Sequence, residues 1–194
     1  MRVIGITGGV GSGKSEVLRY LKEPYGAWVC QMDETAKELQ RRGTTCFRRI
    51  VEHFGERVVS AEGELDRAAL SVIVFSDERE LQALNEIVHP EVIRQVRGDI
   101  EEKRAQGLEF YVVEAALLPD VGRELCDELW YIYTEEKVRR ERLKASRGYT
   151  DERITQMIAS QPGEARFRSA CTAVIDNSGD FEDTKRQIGE RLGL

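Results

Sequence analysis

The stretch Gly8-Gly9-Val10-Gly11-Ser12-Gly13-Lys14-Ser15 decides how the rest of this chain is read. Its spacing is GxxxxGK[S/T]. Before it stands a short apolar run, Met1 to Thr7 with Val3, Ile4 and Ile6, which reads as a buried strand. After it a helical pattern begins at Lys14, with Val17, Leu18 and Leu21 on one face, and ends near Pro24. Glycines let backbone N–H groups curl around a polyphosphate where side chains would obstruct them. A helix starting at Lys14 adds unpaired N–H groups and the positive end of its dipole. The Lys14 ammonium can reach β- and γ-phosphates, and the Ser15 hydroxyl can ligate Mg²⁺. Phosphate contact by Gly9, Val10, Gly11, Ser12, Gly13, Lys14 and Ser15 is therefore expected. Glu16 completes this set; its carboxylate favours the first helical turn and is expected to point outward.

Trp28 to Met32 is a second apolar run, closed by Asp33. Strand, helix and strand at this spacing predict a right-handed parallel βαβ unit. The middle third is almost wholly helical in pattern: Cys46 to Phe54, Asp66 to Phe75, and Glu78 to Val88. His89-Pro90 then punctuates, before a longer helix to about Gln106. This stretch is too long for a simple crossover and reads as a helical insertion. Strands return at Phe110–Val113, Leu129–Tyr133 and Ala173–Ile175. A charged helical pair, Glu135–Ala145 and Thr150–Ser160, lies between the last two, and a helix from about Glu182 to Leu192 closes the chain. The expected fold is α/β: three layers around a five-stranded parallel sheet.

Composition narrows the function. In 194 residues, Lys+Arg 29 against Asp+Glu 35 gives a net charge of −6, which argues against a nucleic-acid groove. Four cysteines without CxxC spacing and only two histidines argue against zinc, so free, buried thiols are expected. No 18-residue apolar run and no signal pattern is present. The reading is a cytoplasmic protein without membrane or nucleic-acid partners, a monomer or weak homo-oligomer.

An NKxD-like base-reading motif is missing, which sets aside switch-type GTPases. A small-molecule kinase needs a base near the acceptor hydroxyl and arginines on a lid, and both have candidates. Along nearly its whole length the chain resembles the dephospho-coenzyme A kinase family. The resemblance is carried by Ile6 to Ser15, Gly26-Ala27 leading to Asp33, Phe54-Gly55, Leu65-Asp66-Arg67-Ala68-Ala69-Leu70 and Val74-Phe75. It continues through Val88-His89-Pro90, Glu114 to Leu118, Gln161 and Val174-Ile175-Asp176-Asn177-Ser178-Gly179.

The resemblance implies transfer of the ATP γ-phosphoryl group to the ribose 3′-hydroxyl of dephospho-coenzyme A, with ATP and Mg²⁺ required. It divides the chain into a nucleotide core (1–34, 107–136 and 162–194), a helical acceptor domain (35–106) and a lid (137–161). It assigns Asp33, at the end of the second strand, as base or orienter of the hydroxyl; the alternative for Asp33 is a helix cap. Glu114 would hold Mg²⁺ with Ser15, or be a solvated strand-end acid. Thr7, Arg67, His89 and Leu117 would join Asp33 at the acceptor, although a His before Pro also serves as a structural cap. Arg142 and Arg147 are the best matches to the lid arginines that act beside Lys14, and Asn177 lies in the loop that meets adenine. Two other readings stay open: a nucleoside or nucleotide kinase of the same fold, and a non-catalytic ATP-binding regulator.

Overall fold

The computed structural model describes residues 1–115, 118 and 122–193. Its first half runs β1 (Arg2–Thr7), α1 (Lys14–Lys22), β2 (Trp28–Gln31), α2 (Met32–Leu39), α3 (Thr45–Phe54), α4 (Arg67–Ser76) and α5 (Glu78–Ala105). Its second half runs β3 (Phe110–Glu114), β4 (Glu128–Tyr133), α6 (Glu136–Arg147), α7 (Asp151–Ala159), α8 (Glu164–Ala170), β5 (Ala173–Asp176) and α9 (Phe181–Leu192).

The five strands form a parallel sheet in the order β2-β3-β1-β4-β5. The apolar first strand takes the central place, where a strand is covered on both faces. In register, Ile6 of β1 faces Glu114 of β3 on one side and Trp130 of β4 on the other. Ile4, Ile6, Val112, Trp130, Ile132 and Ile175 pack with Val17, Leu18 and Leu21 of α1 and Ile188 and Leu192 of α9. One face of the sheet is thereby sealed by the two helices that follow β1 and β5. Because all strands run the same way, their carboxyl ends share one edge, and the loop after β1 emerges there.

Two compact units make up the chain: Met1–Cys30 with Lys103–Leu194, and Gln31–Glu102. The charged helical pair, α6 and α7, belongs to the first unit. It turns at Gly148, whose φ of 61° closes α6, and it is tied by Arg140 Nη1 donating to Thr155 Oγ1 at 3.0 Å and Lys144 Nζ donating to Asp151 Oδ2 at 2.7 Å.

In the second unit, α3 starts at Thr44, whose hydroxyl accepts from Phe47 N, and it buries Cys46, Ile50 and Phe54. A short 3₁₀ turn (Glu56–Val58) and a tight bridge between Val59 and Leu65 lead to α4. Asp66 caps α4 by accepting from Ala68 N at 3.0 Å and Ala69 N at 2.9 Å, satisfying two orphan donors.

Four expectations change. The expected break at His89-Pro90 does not occur: α5 is one helix of 28 residues, with Pro90 inside it. Ile87, Val88, Val92, Val96 and Ile100 are all buried, so one continuous apolar stripe outweighs the hydrogen bond that proline removes. β2 stops at Gln31 and is an edge strand with Trp28 exposed, so Asp33 is not a strand-end residue but lies in the first turn of α2. α8 was not foreseen in the pattern; it is held by Phe167, which is buried and stacked on Tyr131 at 4.9 Å between ring centroids. The four cysteines are thiols outside any disulfide, but only Cys46 is fully buried. Among the described residues no helix is long and apolar enough to cross a membrane.

Candidate nucleotide site

The loop between β1 and α1 is built by its glycines and by polar groups from later in the chain. Gly13 has φ +84°, a left-handed conformation open to glycine, and a Cβ there would lie 2.3 Å from Asn177 Nδ2 and 3.3 Å from Arg142 Nη1. Both constraints exclude a side chain at Gly13. Ser12 O is held by Asn177 Nδ2 at 2.8 Å and by Thr134 Oγ1 at 3.0 Å, and Thr184 Oγ1 donates to Asn177 Oδ1 at 2.9 Å. These supports come from the carboxyl ends of β4 and β5 and from α9, so distant sequence converges on one loop carbonyl.

Lys14 opens α1. Its Nζ donates to Gly8 O at 2.8 Å and lies 3.8 Å from Glu114 Oε1, with both side chains largely buried. The β1–β3 register, which sets Ile6 opposite Glu114, brings this acid to the loop. Ser15 is exposed in the first turn of α1, and Glu16 pairs outward with Arg19 at 3.8 Å. Thr7 is fully buried at the end of β1.

Two buried polar atoms beside the loop, Ser12 Oγ and Arg142 Nη1, find no hydrogen-bond partner among the described residues. An orphaned cationic N–H in a half-buried setting is costly unless an anion meets it. Together with the glycine cradle, this fits a polyphosphate. Ser15 and Glu114 offer hydroxyl and carboxylate oxygens, a donor set suited to Mg²⁺, which takes few protein ligands alongside phosphate oxygens and water.

The structure separates the expected site residues. Arg142 lies against Gly13, whereas Arg147 is exposed at the far end of α6. Asn177 is 1% exposed with its amide spent on Ser12 and Thr184, so its side chain braces the loop and is not free to read a base. Arg139 lies on the charged helical pair expected to be the lid, where Arg142 and Arg147 are the better matches to the family. Its Nε donates to Val10 O at 2.8 Å, and Gln161 Oε1 accepts from Val10 N at 2.8 Å. No local signal marks Arg139; Gln161 was visible only through the family resemblance.

In the second unit, Asp33 is exposed in the first turn of α2, where a carboxylate is favoured by the helix dipole. It is not the cap, a place Gln31 takes. His89 is half-buried inside α5 and caps nothing. Arg67, presented by the Asp66 cap, donates to Gln40 Oε1 at 2.9 Å and Lys37 O at 3.2 Å. It lines a cavity of about 320 Å³ with Lys37, Arg41 and Glu64. Leu117 lies outside the described residues.

A parallel sheet with a glycine loop at its carboxyl edge, a lysine opening the next helix and a strand-end acid beside it define a P-loop kinase. The model of the dephospho-CoA kinase family matches residues 2–183. The chain belongs to that family. It is 36% identical over 188 residues to the dephospho-CoA kinase of Carboxydothermus hydrogenoformans, covering 96% of this chain and 90% of that one. A crystal structure from Thermus thermophilus superposes with a TM-score of 0.81 at 30% identity, covering 99% and 96% of the two chains. The dephospho-CoA kinase of Campylobacter jejuni shares the fold, with a TM-score of 0.69 at 16% identity and coverage of 98% and 95%.

Proposed function

We propose that this kinase transfers the γ-phosphoryl group of ATP to the ribose 3′-hydroxyl of dephospho-coenzyme A, giving ADP and coenzyme A, the last step of coenzyme A biosynthesis. The observation that carries the reading is the family match over residues 2–183, on a chain whose loop keeps Lys14 between Gly8 O and Glu114. The hydroxyl oxygen attacks the γ-phosphorus, the bond to the β–γ bridging oxygen breaks, and ADP leaves with the electron pair.

Each residue then has a task. The loop N–H groups from Gly11 to Ser15 receive the phosphates, and Lys14 turns from Gly8 O toward the β- and γ-oxygens. Ser15 and Glu114 would hold Mg²⁺, which when bound neutralises charge on the phosphate oxygens. Arg142 suits the lid role better than Arg147, because its buried Nη1 already faces Gly13 without a partner. Asp33 takes the hydroxyl proton. Arg67, with five N–H donors in a fork, suits the acceptor's pyrophosphate, and His89 and Thr7 complete the proposed acceptor contacts.

The test is coupled ADP release with Mg²⁺-ATP, comparing dephospho-coenzyme A with adenosine and AMP and reading product mass in parallel. Gain of one phosphoryl group on dephospho-coenzyme A alone is expected, with loss of about 10²-fold or more in kcat for Asp33→Asn. Turnover on AMP or adenosine instead would remove the acceptor assignment.

A further inference from the structure

Arg139 lies in a run of charges on α6 that reads as a salt-bridged helix surface, and yet it is half-buried against the phosphate loop. Its Nε donates to Val10 O at 2.8 Å, and its Nη2 lies 3.4 Å from Gln161 Oε1, the same oxygen that accepts from Val10 N. The two peptide planes flanking the Val10 Cα are thus pinned, one by Gln161 and the other by Arg139. With both planes fixed, the φ and ψ of Val10 are set, and the turn into Gly11 starts from one direction.

Gly9 makes the second, independent observation. It is not among the glycines with positive φ, so its backbone does not require glycine. What requires it is space: a Cβ on Gly9 would lie 2.4 Å from Arg139 Nη2 and 2.7 Å from its Cζ. The loop has left out a side chain where the guanidinium rests.

We propose that Arg139 is a positioning residue for the phosphate loop, acting through the Val10 peptide with Gln161 as its partner. Both of its hydrogen bonds go to neutral oxygens, and burial is the main cause pushing its pKa down. A guanidinium gives up water at this place only if the surroundings gain from its charge or its fork. A loop that gathers phosphate gains from both, since the fork orders the backbone and the charge adds to the potential that attracts an anion.

This inference rests on the nucleotide reading of the loop, and the experiment separates the two. ATP affinity is measured by titration calorimetry on the full chain, with KM for ATP, KM for dephospho-coenzyme A, kcat and melting temperature measured alongside. Arg139→Ala is expected to raise the ATP Kd and KM about tenfold, the scale of a hydrogen bond from a charged donor, and to leave the acceptor KM within about twofold. Arg139→Lys recovers part of the loss, because an ammonium can reach Val10 O without bracing Gln161 as a fork does. Gly9→Ala evicts the guanidinium and reproduces the loss in the unmodified chain, yet adds little to Arg139→Ala. Gln161→Ala weakens ATP binding in the same non-additive way. Unchanged ATP affinity in Arg139→Ala overturns the proposal. So does a parallel rise of both KM values with a falling melting temperature, which marks a merely structural residue. An unmodified chain that binds no ATP overturns the nucleotide reading itself, and this inference with it.

Discussion

Asn177 shows how a residue's neighbours decide what it can do. Its position after β5 and the family resemblance put it near a base, and that is as far as sequence reaches. In the structure its amide donates to Ser12 O and its carbonyl accepts from Thr184, with the side chain 1% exposed. Asn177→Ala therefore removes one hydrogen bond each from Ser12 O and the Thr184 hydroxyl, which keep Thr134 and Asp176 O as their other partners, a destabilisation of about 1–2 kcal/mol. The expected outcome is a lower melting temperature with weaker binding of ATP and GTP by similar factors. A changed ATP-to-GTP ratio at unchanged stability would instead make Asn177 a base reader. Lys14, Ser15 and the glycines were legible because the motif is local and its chemistry fixes residue type. Arg139 was not, because nothing in Lys137 to Arg147 tells which arginine faces inward; that is decided by the approach of α6 to a loop more than a hundred residues earlier in the chain.

Among the elements, the strands were the easiest to foresee. Phe110–Glu114, Glu128–Tyr133 and Ala173–Asp176 are short apolar runs bounded by polar residues, and the parallel sheet buries most of their positions. α8 escaped because Glu164 to Ala170 has no apolar period; Phe167 alone is buried, and it is held by a contact with Tyr131 that no local pattern encodes. In α5 the sequence points to a break at Pro90, since proline normally ends a helix at the residue before it. There the stripe from Ile87 to Ile100 carries the helix through, and Glu86 O is left without the bond that a residue 90 N–H would supply. Pro90→Ala restores that donor, set against a gain of unfolded-chain entropy, for a net stabilisation of about 1–2 kcal/mol. A higher urea midpoint with an unchanged m-value is the expected result; a lower midpoint would mean that Pro90 contributes packing that the restored bond does not replace.

For the molecule as a whole, alkaline pH is the exposed flank. The Cys126 thiol is pushed up to about 12, first by burial and then by the charge of Asp127, and burial pushes Cys171 up to about 11, both from an ordinary 9.0. Burial likewise raises Tyr131, and a hydrogen bond with Tyr20 raises Tyr25. These groups keep their protons in the folded chain at a pH where the unfolded chain releases them. The unfolded state then binds fewer protons, so stability is full below pH 9 and falls as pH climbs toward 12. At one pH unit above the unfolded pKa each such thiol costs about 1.4 kcal/mol. The urea midpoint should be lower at pH 10 than at pH 8, with a shallower fall in Cys126→Ala; equal midpoints would show that the thiols ionise freely in the fold. The sheet order carries one more consequence, in time. β2 and β3 are neighbours, yet residues 32–109 lie between them in sequence. Closing a flexible span of roughly 80 residues costs about 4 kcal/mol of chain entropy, and each doubling of span adds only about 0.6. A segment already folded into helices presents a much shorter tether. Local helical contacts form faster than distant strand pairings, so the inserted helices are the first to set and the edge of the sheet is the last to close. During refolding, the amides of α3 and α5 then gain protection from hydrogen exchange before those of β2. A newly made chain in the cell follows the same order, holding its N-terminal strand unpaired until β3 has left the ribosome.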